Sequence, residues 1–201
     1  QPQEDYLRDQ GFVLYPHTYS IGAYTVSTMS RVLNASAEYN GPPRRGVSGD
    51  GIVHNTLQSL GYETYGLFPY DFMFRGTGSS YDFSIPESSA QLPPYALLIS
   101  AILIGEFRFD FGFDDLTRAQ FIETKHSLFT GSPEKQVFIY SHSNFPGHSQ
   151  DSGVCRPNEV ELFRERLEDA NLEMRQDIQT ILQNDPGQGR GGFGGDPVRH
   201  G

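Results

Sequence analysis

Two histidines, His142 and His148, stand on either side of the turn sequence Ser143-Asn144-Phe145-Pro146-Gly147. Imidazole changes charge closer to neutral pH than any other side chain. A pair of them beside hydroxyls and an amide therefore suits proton transfer or the holding of an anionic group. The same composition also suits an ordinary polar loop. A second chemical set lies in residues 19–34, YSIGAYTVSTMSRVLN, where Gly22 leads toward Thr25 and Ser27. If a helix begins at Thr25, its hydroxyl sits among free backbone N–H groups at the positive end of the helix dipole, where an oxyanion is stabilised. Such a hydroxyl becomes a nucleophile once a metal or a base takes its proton. The commoner use of Ser or Thr at that position is as an N-cap.

Apolar periodicity predicts the elements that must position these groups. Residues 137–140, Val-Phe-Ile-Tyr, are aromatic and β-branched and read as a buried strand, with Pro146-Gly147 turning the chain soon after it. In open α/β sheets ligands bind beyond the carboxyl ends of the strands, and His142 falls there. Residues 4–9, 25–33, 51–60 and 117–129 predict helices, with Gly61 as a C-terminal stop. Residues 12–15, Phe-Val-Leu-Tyr, predict a strand ending at Pro16, and residues 62–68 another. Residues 40–46 read as a Gly/Pro/Arg loop and residues 69–94 as loop-rich. The clearest helix is 158–183. Val160, Phe163, Leu167, Ala170, Met174, Ile178 and Ile181 recur there at steps of three and four and predict one buried stripe. Asn158 is its expected N-cap with Glu161 as partner, and Glu165, Arg166, Asp169, Arg175 and Asp177 its expected solvated face. Helices alternating with strands predict an α/β layered fold.

With 201 residues, 36% of them hydrophobic, the chain is long enough to bury a sizeable core. It carries 15 Lys and Arg against 25 Asp and Glu, a net charge of −10 with no basic run, which argues against a nucleic-acid partner. Its one cysteine, Cys155, excludes an internal disulfide or a cysteine-based zinc cluster. The longest apolar stretch, residues 95–105, is about half of what a bilayer requires, so no membrane span is expected. The start at Gln1 reads as a fragment or a processed product. Residues 187–201 are Gly-rich, bury nothing apolar to offset the entropy of ordering, and are predicted to be a disordered tail. Asn34-Ala35-Ser36 is a glycosylation triplet of the kind that arises by chance, and Asp110, Asp114 and Asp115 lack the spacing of a calcium loop.

Four segments, in order, resemble the sulfatase-like branch of the alkaline phosphatase superfamily, which includes arylsulfatases, phosphoethanolamine and phosphoglycerol transferases and lipoteichoic-acid synthases. Gly11 to Tyr19 followed by Thr25-Val-Ser-Thr-Met-Ser-Arg-Val-Leu33-Asn34 is similar to the family's strand, loop and nucleophile helix. Leu57-Gln-Ser-Leu-Gly61-Tyr62-Glu-Thr64 is similar to its following helix and strand. Phe72-Met-Phe-Arg75 with Tyr81-Asp82-Phe83 matches a segment that supplies a substrate-binding Arg in lipoteichoic-acid synthases. Phe138 through His148 resembles the strand whose end supplies a substrate-contacting His. The resemblance implies a three-layer α/β/α fold with a mostly parallel sheet, incomplete here, over residues 1–186. It implies attack of a hydroxyl or formylglycine on phosphorus or sulfur, with a divalent metal (Zn, Mn, Mg or Ca) lowering the nucleophile's pKa. Carried over, Thr25 is nucleophile and metal-facing oxygen and Ser27 the second choice. His142 holds the transferred or leaving group, and His148 and Arg75 contact substrate. Threonine cannot become formylglycine, which tilts the reading from sulfate toward phosphoryl transfer. The substrate class is a small anionic ester or a lipid headgroup, and the expected location of the full-length relatives is extracytoplasmic and membrane-anchored.

The departures are also specific. The family's first acidic metal ligand precedes Gly11, beyond the start of this sequence. Its Gly-Asp-His-Gly metal motif would follow the long helix, where Gly195-Asp196-Pro197 stands instead. The sequence therefore predicts an internal piece of such an enzyme that binds little or no metal and has little or no activity. The tail then reads as a shifted frame or a truncation. A non-catalytic anion-binding module on the same fold and an unrelated α/β protein are the alternatives.

Overall fold

Among residues 2–70, 78–87, 116–131, 135–147 and 157–184, which the computed structural model of the protein describes, the chain forms six helices and three strands. In order these are α1 (Pro2–Asp9), α2 (Thr25–Leu33), α3 (Pro43–Val47), α4 (Ile52–Ser59), β1 (Glu63–Leu67), β2 (Phe83–Ile85), α5 (Arg118–Thr130), β3 (Val137–Ser141) and α6 (Glu159–Asn184). The strands make one parallel sheet in the order β2-β1-β3, with Tyr65 opposite both Phe83 and Ile139. Helices together with a parallel sheet place the chain in the α/β class. The chain divides into two compact units, Gln1–Ile122 with Pro133–Asn144, and Glu123–Ser132 with Phe145–Gly201.

The first unit holds the sheet and its core. Leu33, Val47, Phe68, Tyr81 and Tyr140 pack together, with Val26, Met29 and Phe138 against them. These come from one side of α2, from α3, from alternate positions of β3, from the residue just after β1 and from the approach to β2. Phe68 meets Tyr140 edge-on with ring centres 5.7 Å apart, and Tyr81 at 6.3 Å. The Tyr81 hydroxyl donates to Val47 O at 3.0 Å. Its ring lies over Gly66, where an added Cβ would sit 2.5 Å from Tyr81 Cδ2. Tyr140 brings a hydroxyl that finds no partner among the described residues, and burial pushes its pKa up to about 12.

At the opposite end of the sheet from its carboxyl edge, α4 delivers His54, 1% exposed, to Thr64 on β1. His54 Nε2 lies 3.0 Å from Thr64 Oγ1, and Thr64 Oγ1 donates to Asp82 Oδ2 at 2.8 Å. Asp82 precedes β2, so this chain of bonds joins α4, β1 and the entry to β2. Helix α5 begins with a capping box: Thr117 N and Oγ1 donate to Gln120 Oε1 at 3.0 and 2.8 Å, and Gln120 N returns to Thr117 Oγ1 at 3.3 Å.

In the second unit, Lys125 of α5 is buried against two carboxylates of α6, Glu173 at 2.6 Å and Asp177 at 2.7 Å. Nearer the start of α6, Arg166 pairs with Glu159 at 3.3 Å and donates through Nε to Pro146 O at 3.1 Å. These pairings turn α6 differently from its sequence pattern. Glu159 and Glu173 are buried, whereas the expected buried stripe is largely outward, with Val160 58% and Met174 48% exposed. Arg166 and Asp177, expected on the solvated face, are engaged in ion pairs. A buried ammonium needs its counter-ions, and that requirement outranks the apolar stripe.

Two further expectations are corrected and a third is refined. Residues 12–15 form no strand. Phe12 N–H instead closes the end of α1 on Leu7 O at 3.0 Å, and Val13 and Tyr15 are left 73% and 78% exposed. The segment expected to be a Gly/Pro/Arg loop contains α3, entered by Pro43 at a position where a missing N–H costs nothing. The loop-rich segment contains β2, only three residues long and therefore below the reach of periodicity. The expectations for Arg75, His148, Cys155, residues 95–105, Asp110, Asp114, Asp115 and the 187–201 tail lie outside the described residues. Among the described residues no helix is long and apolar enough to cross a membrane.

Candidate functional site

Helix α2 begins at Thr25, as its sequence predicts. The preceding residue, Tyr24, is extended (φ −146°, ψ 159°), and no side-chain cap bond is made there among the described residues. The first backbone bond of the turn is Thr28 N to Tyr24 O at 3.0 Å, so the amides of Thr25, Val26 and Ser27 have no partner among the described residues. No acidic residue occupies the first turn. The Thr25 hydroxyl is exposed at this positive end of the helix. The approach is shaped by a tight loop. Ser20 Oγ donates to Gly22 O at 2.7 Å and lies 2.9 Å from Thr28 Oγ1. Gly22 is pressed so close that a Cβ there would sit 2.9 Å from Ser27 Oγ and from Thr28 N.

Arg31 lies one turn further along the same helix face. Its Nη1 donates to Ser27 Oγ at 2.6 Å and to Ser27 O at 3.1 Å, and its Nε to Ala37 O at 3.0 Å. All three acceptors are uncharged, and no carboxylate pairs with Arg31 among the described residues. The guanidinium thus adds its charge to the helix dipole at the turn that carries Ser27. Sequence spacing does not single out Arg31, because it cannot show which way a long side chain folds back. One signal does point to it: no Asp or Glu occurs between Asp9 and Glu38, and Arg31 is the lone Lys or Arg in that interval.

His142 follows β3 directly, at the carboxyl edge of the parallel sheet. Its backbone N–H continues the ladder to Leu67 O at 3.0 Å, which fixes the residue relative to β1. Burial lowers its pKa, so the ring is neutral at pH 7 and one nitrogen is an acceptor while the other donates. Neither ring nitrogen is hydrogen-bonded among the described residues.

Thr25, Ser27 and His142 all belong to the first unit, on α2 and beyond β3. Ser27 is tied to Arg31, while Thr25 and His142 have no direct hydrogen bond to each other among the described residues. The resemblance implies a divalent metal at Thr25, which brings one hydroxyl oxygen. No group of three or more His, Cys, Asp or Glu side chains suited to a metal is found among the described residues. Those residues do not make up such a site.

No family model, no curated protein and no solved structure matches this chain.

Proposed function

We propose that this chain binds the anionic group of a phosphate or sulfate ester at the first turn of α2, as part of a phosphoryl- or sulfuryl-transfer enzyme with a three-layer α/β/α fold and a mostly parallel sheet like that of the alkaline phosphatase superfamily. The observation that carries the reading is the first turn of α2 among the described residues: three amides without a partner there, no acidic residue in the turn, and Arg31 held against Ser27 without a carboxylate partner. Backbone N–H groups and a guanidinium are the donors that ester oxygens accept best. Thr25 is the nucleophile of this reading: its hydroxyl oxygen bonds phosphorus or sulfur as its proton leaves to a base. The bond to the ester's alcohol oxygen breaks, the alcohol departs with a proton, and water then releases phosphate or sulfate and restores the hydroxyl. Neutral His142 has the acceptor nitrogen to take a proton, or an N–H to hold an ester oxygen. Membrane anchoring outside the cytoplasm and a lipid-headgroup or other small-ester substrate belong to the same proposal.

The second reading is anion binding without turnover. It is favoured by the lack of a metal-donor group among the described residues. One experiment separates the two. Inorganic phosphate and sulfate are titrated into the full chain while the amide resonances of Thr25, Val26 and Ser27 are followed by NMR. Hydrolysis of aryl phosphate and aryl sulfate esters is then assayed with and without Zn, Mn, Mg or Ca. Shifts at those three amides with turnover that vanishes in Thr25→Val support the enzyme. Shifts without turnover support the binding module. Amides that do not respond to either anion sink both.

A further inference from the structure

We propose that Asp82 is a charge-operated latch on the edge strand β2: its ionised carboxylate holds β2 in register on β1, and loss of that charge frees β2 while the β1–β3 pair stays formed. Strand β2 is three residues long and meets the sheet through parallel pairing with β1 alone, among the described residues. Parallel pairing is the weaker kind per residue, so a strand this short needs a further tie. Asp82, the residue just before it, supplies one. Its Oδ2 accepts from Thr64 N at 2.8 Å and from Thr64 Oγ1 at 2.8 Å, its Oδ1 accepts from Gln58 Nε2 at 3.1 Å, and its own N–H returns to Thr64 Oγ1 at 3.1 Å.

The direction of each bond is fixed by counting protons. The single hydroxyl proton of Thr64 goes to Asp82, and one of its lone pairs takes the Asp82 N–H. His54 Nε2, at 3.0 Å, meets the other lone pair and must itself carry a hydrogen. Three donors therefore converge on the Asp82 carboxylate, and no acceptor faces it among the described residues. A proton added there finds no acceptor among the described residues and must turn to water, displacing one of the three donors.

Among the described residues the charged and titratable neighbours are few. On β1 they are Tyr65, whose hydroxyl donates to Glu63 Oε2 at 3.3 Å, and Glu63, which also meets Lys135 Nζ at 3.4 Å. On α4 it is His54, and beside Asp82 in the chain it is Tyr81, which meets the His54 ring edge-on at 5.0 Å. Partial burial alone would raise the Asp82 pKa. The bonds from Thr64 and Gln58 and the nearness of His54 outweigh it and hold the carboxyl below its usual range. A group depressed in the folded state contributes stability that is present above its unfolded pKa and is lost as pH falls through the folded value. The latch is closed at neutral pH and opens in acid.

The test is amide hydrogen exchange by NMR on the full chain, wild type against Asp82→Asn, at pH 7. The reporters are Thr64 N–H, on the latch itself, and Phe68 N–H, which bonds Ile85 O of β2 at 2.8 Å. The controls are Glu63 N–H, bonded to Gln136 O at 2.9 Å, and His142 N–H, bonded to Leu67 O at 3.0 Å; both lie on the β3 side. In Asp82→Asn the two reporters are expected to lose protection by roughly tenfold or more, with both controls unchanged. Equal loss at all four amides, or loss at none, overturns the proposal. If Asp82→Asn does not fold, the same four amides are followed in the wild type as pH is lowered stepwise from 6, corrected for intrinsic exchange: loss at the two reporters before the controls supports the latch, and loss at all four together overturns it.

Discussion

Arg31 Nη1 donates to Ser27 Oγ at 2.6 Å, which brings a guanidinium without a carboxylate partner among the described residues back along α2 toward its own N-terminal turn. Placing a cation toward the positive end of a helix is unfavourable unless something anionic joins it. Replacing Arg31 by Met should weaken phosphate or sulfate binding at the turn by about tenfold. Arg31→Lys should recover only part of it, because an ammonium lacks the planar fork. The bonds lost are to uncharged acceptors, so unfolding free energy should fall by only about 1–2 kcal/mol. Isothermal titration together with urea unfolding checks both parts.

His142 gives a pH dependence whose sign follows from its burial. Its folded pKa is depressed, so the unfolded chain binds the proton more readily. Stability is then full above the ordinary histidine range and declines as pH falls through about 6.5 toward the lower folded value. Thermal unfolding between pH 5 and pH 8 should show this decline in the wild type. It should be flatter in His142→Gln, and identical slopes in the two proteins count against the assignment.

Tyr140 carries a buried hydroxyl with no partner among the described residues, beside the ring of Phe68. Removing an unsatisfied buried hydroxyl relieves a desolvation cost, so Tyr140→Phe should be neutral or more stable by about 1 kcal/mol. Phe68→Ala, which empties the centre of the same cluster, should cost about 3–5 kcal/mol. Paired denaturant melts give both numbers, and a destabilised Tyr140→Phe would show that the hydroxyl is bonded.

Lys125 is 5% exposed and lies between Glu173 and Asp177. Lys125→Met takes the ammonium from the buried Glu173 and the partly buried Asp177, and should cost about 3–5 kcal/mol. Adding Glu173→Gln and Asp177→Asn to Lys125→Met should recover a good part of that loss. A triple variant less stable than the single one contradicts the account.

The Asn34 triplet should carry no glycan on folded protein. The Asn34 side chain is 6% exposed, and its amide donates to Ser30 O at 2.7 Å. Intact mass of the chain secreted from a glycosylating host should equal the mass of the bare polypeptide.

Where local signals agree, the sequence is a good guide. Thr25 to Leu33 is legible as a helix to the residue, and Val137 to Tyr140 as a strand, because apolar period and flanking turn residues coincide there. Those two elements are enough to place Thr25 on a first turn and His142 past a strand end. Residues 12–15 mislead because strand propensity is a preference for a pleated, half-buried surface, and no neighbouring strand pairs with them among the described residues. The orientation of α6 is not legible because it depends on Lys125, a partner far away in the sequence. Arg31 and the His54–Thr64–Asp82 bonds are hidden for a related reason: side-chain direction and a bond from Thr64 to Asp82, 18 residues on, leave no periodic trace.

The ring of Tyr81 rests where Gly66 has only a hydrogen, and its hydroxyl reaches Val47 O. Positions 66 and 81 are thus one unit of inheritance rather than two. A related chain with alanine at 66 should carry a smaller residue than tyrosine at 81, and then the Val47 carbonyl must find another donor. An evolutionary comparison of such chains would meet this coupled change in one step or not at all, since either half alone leaves a collision or a hole.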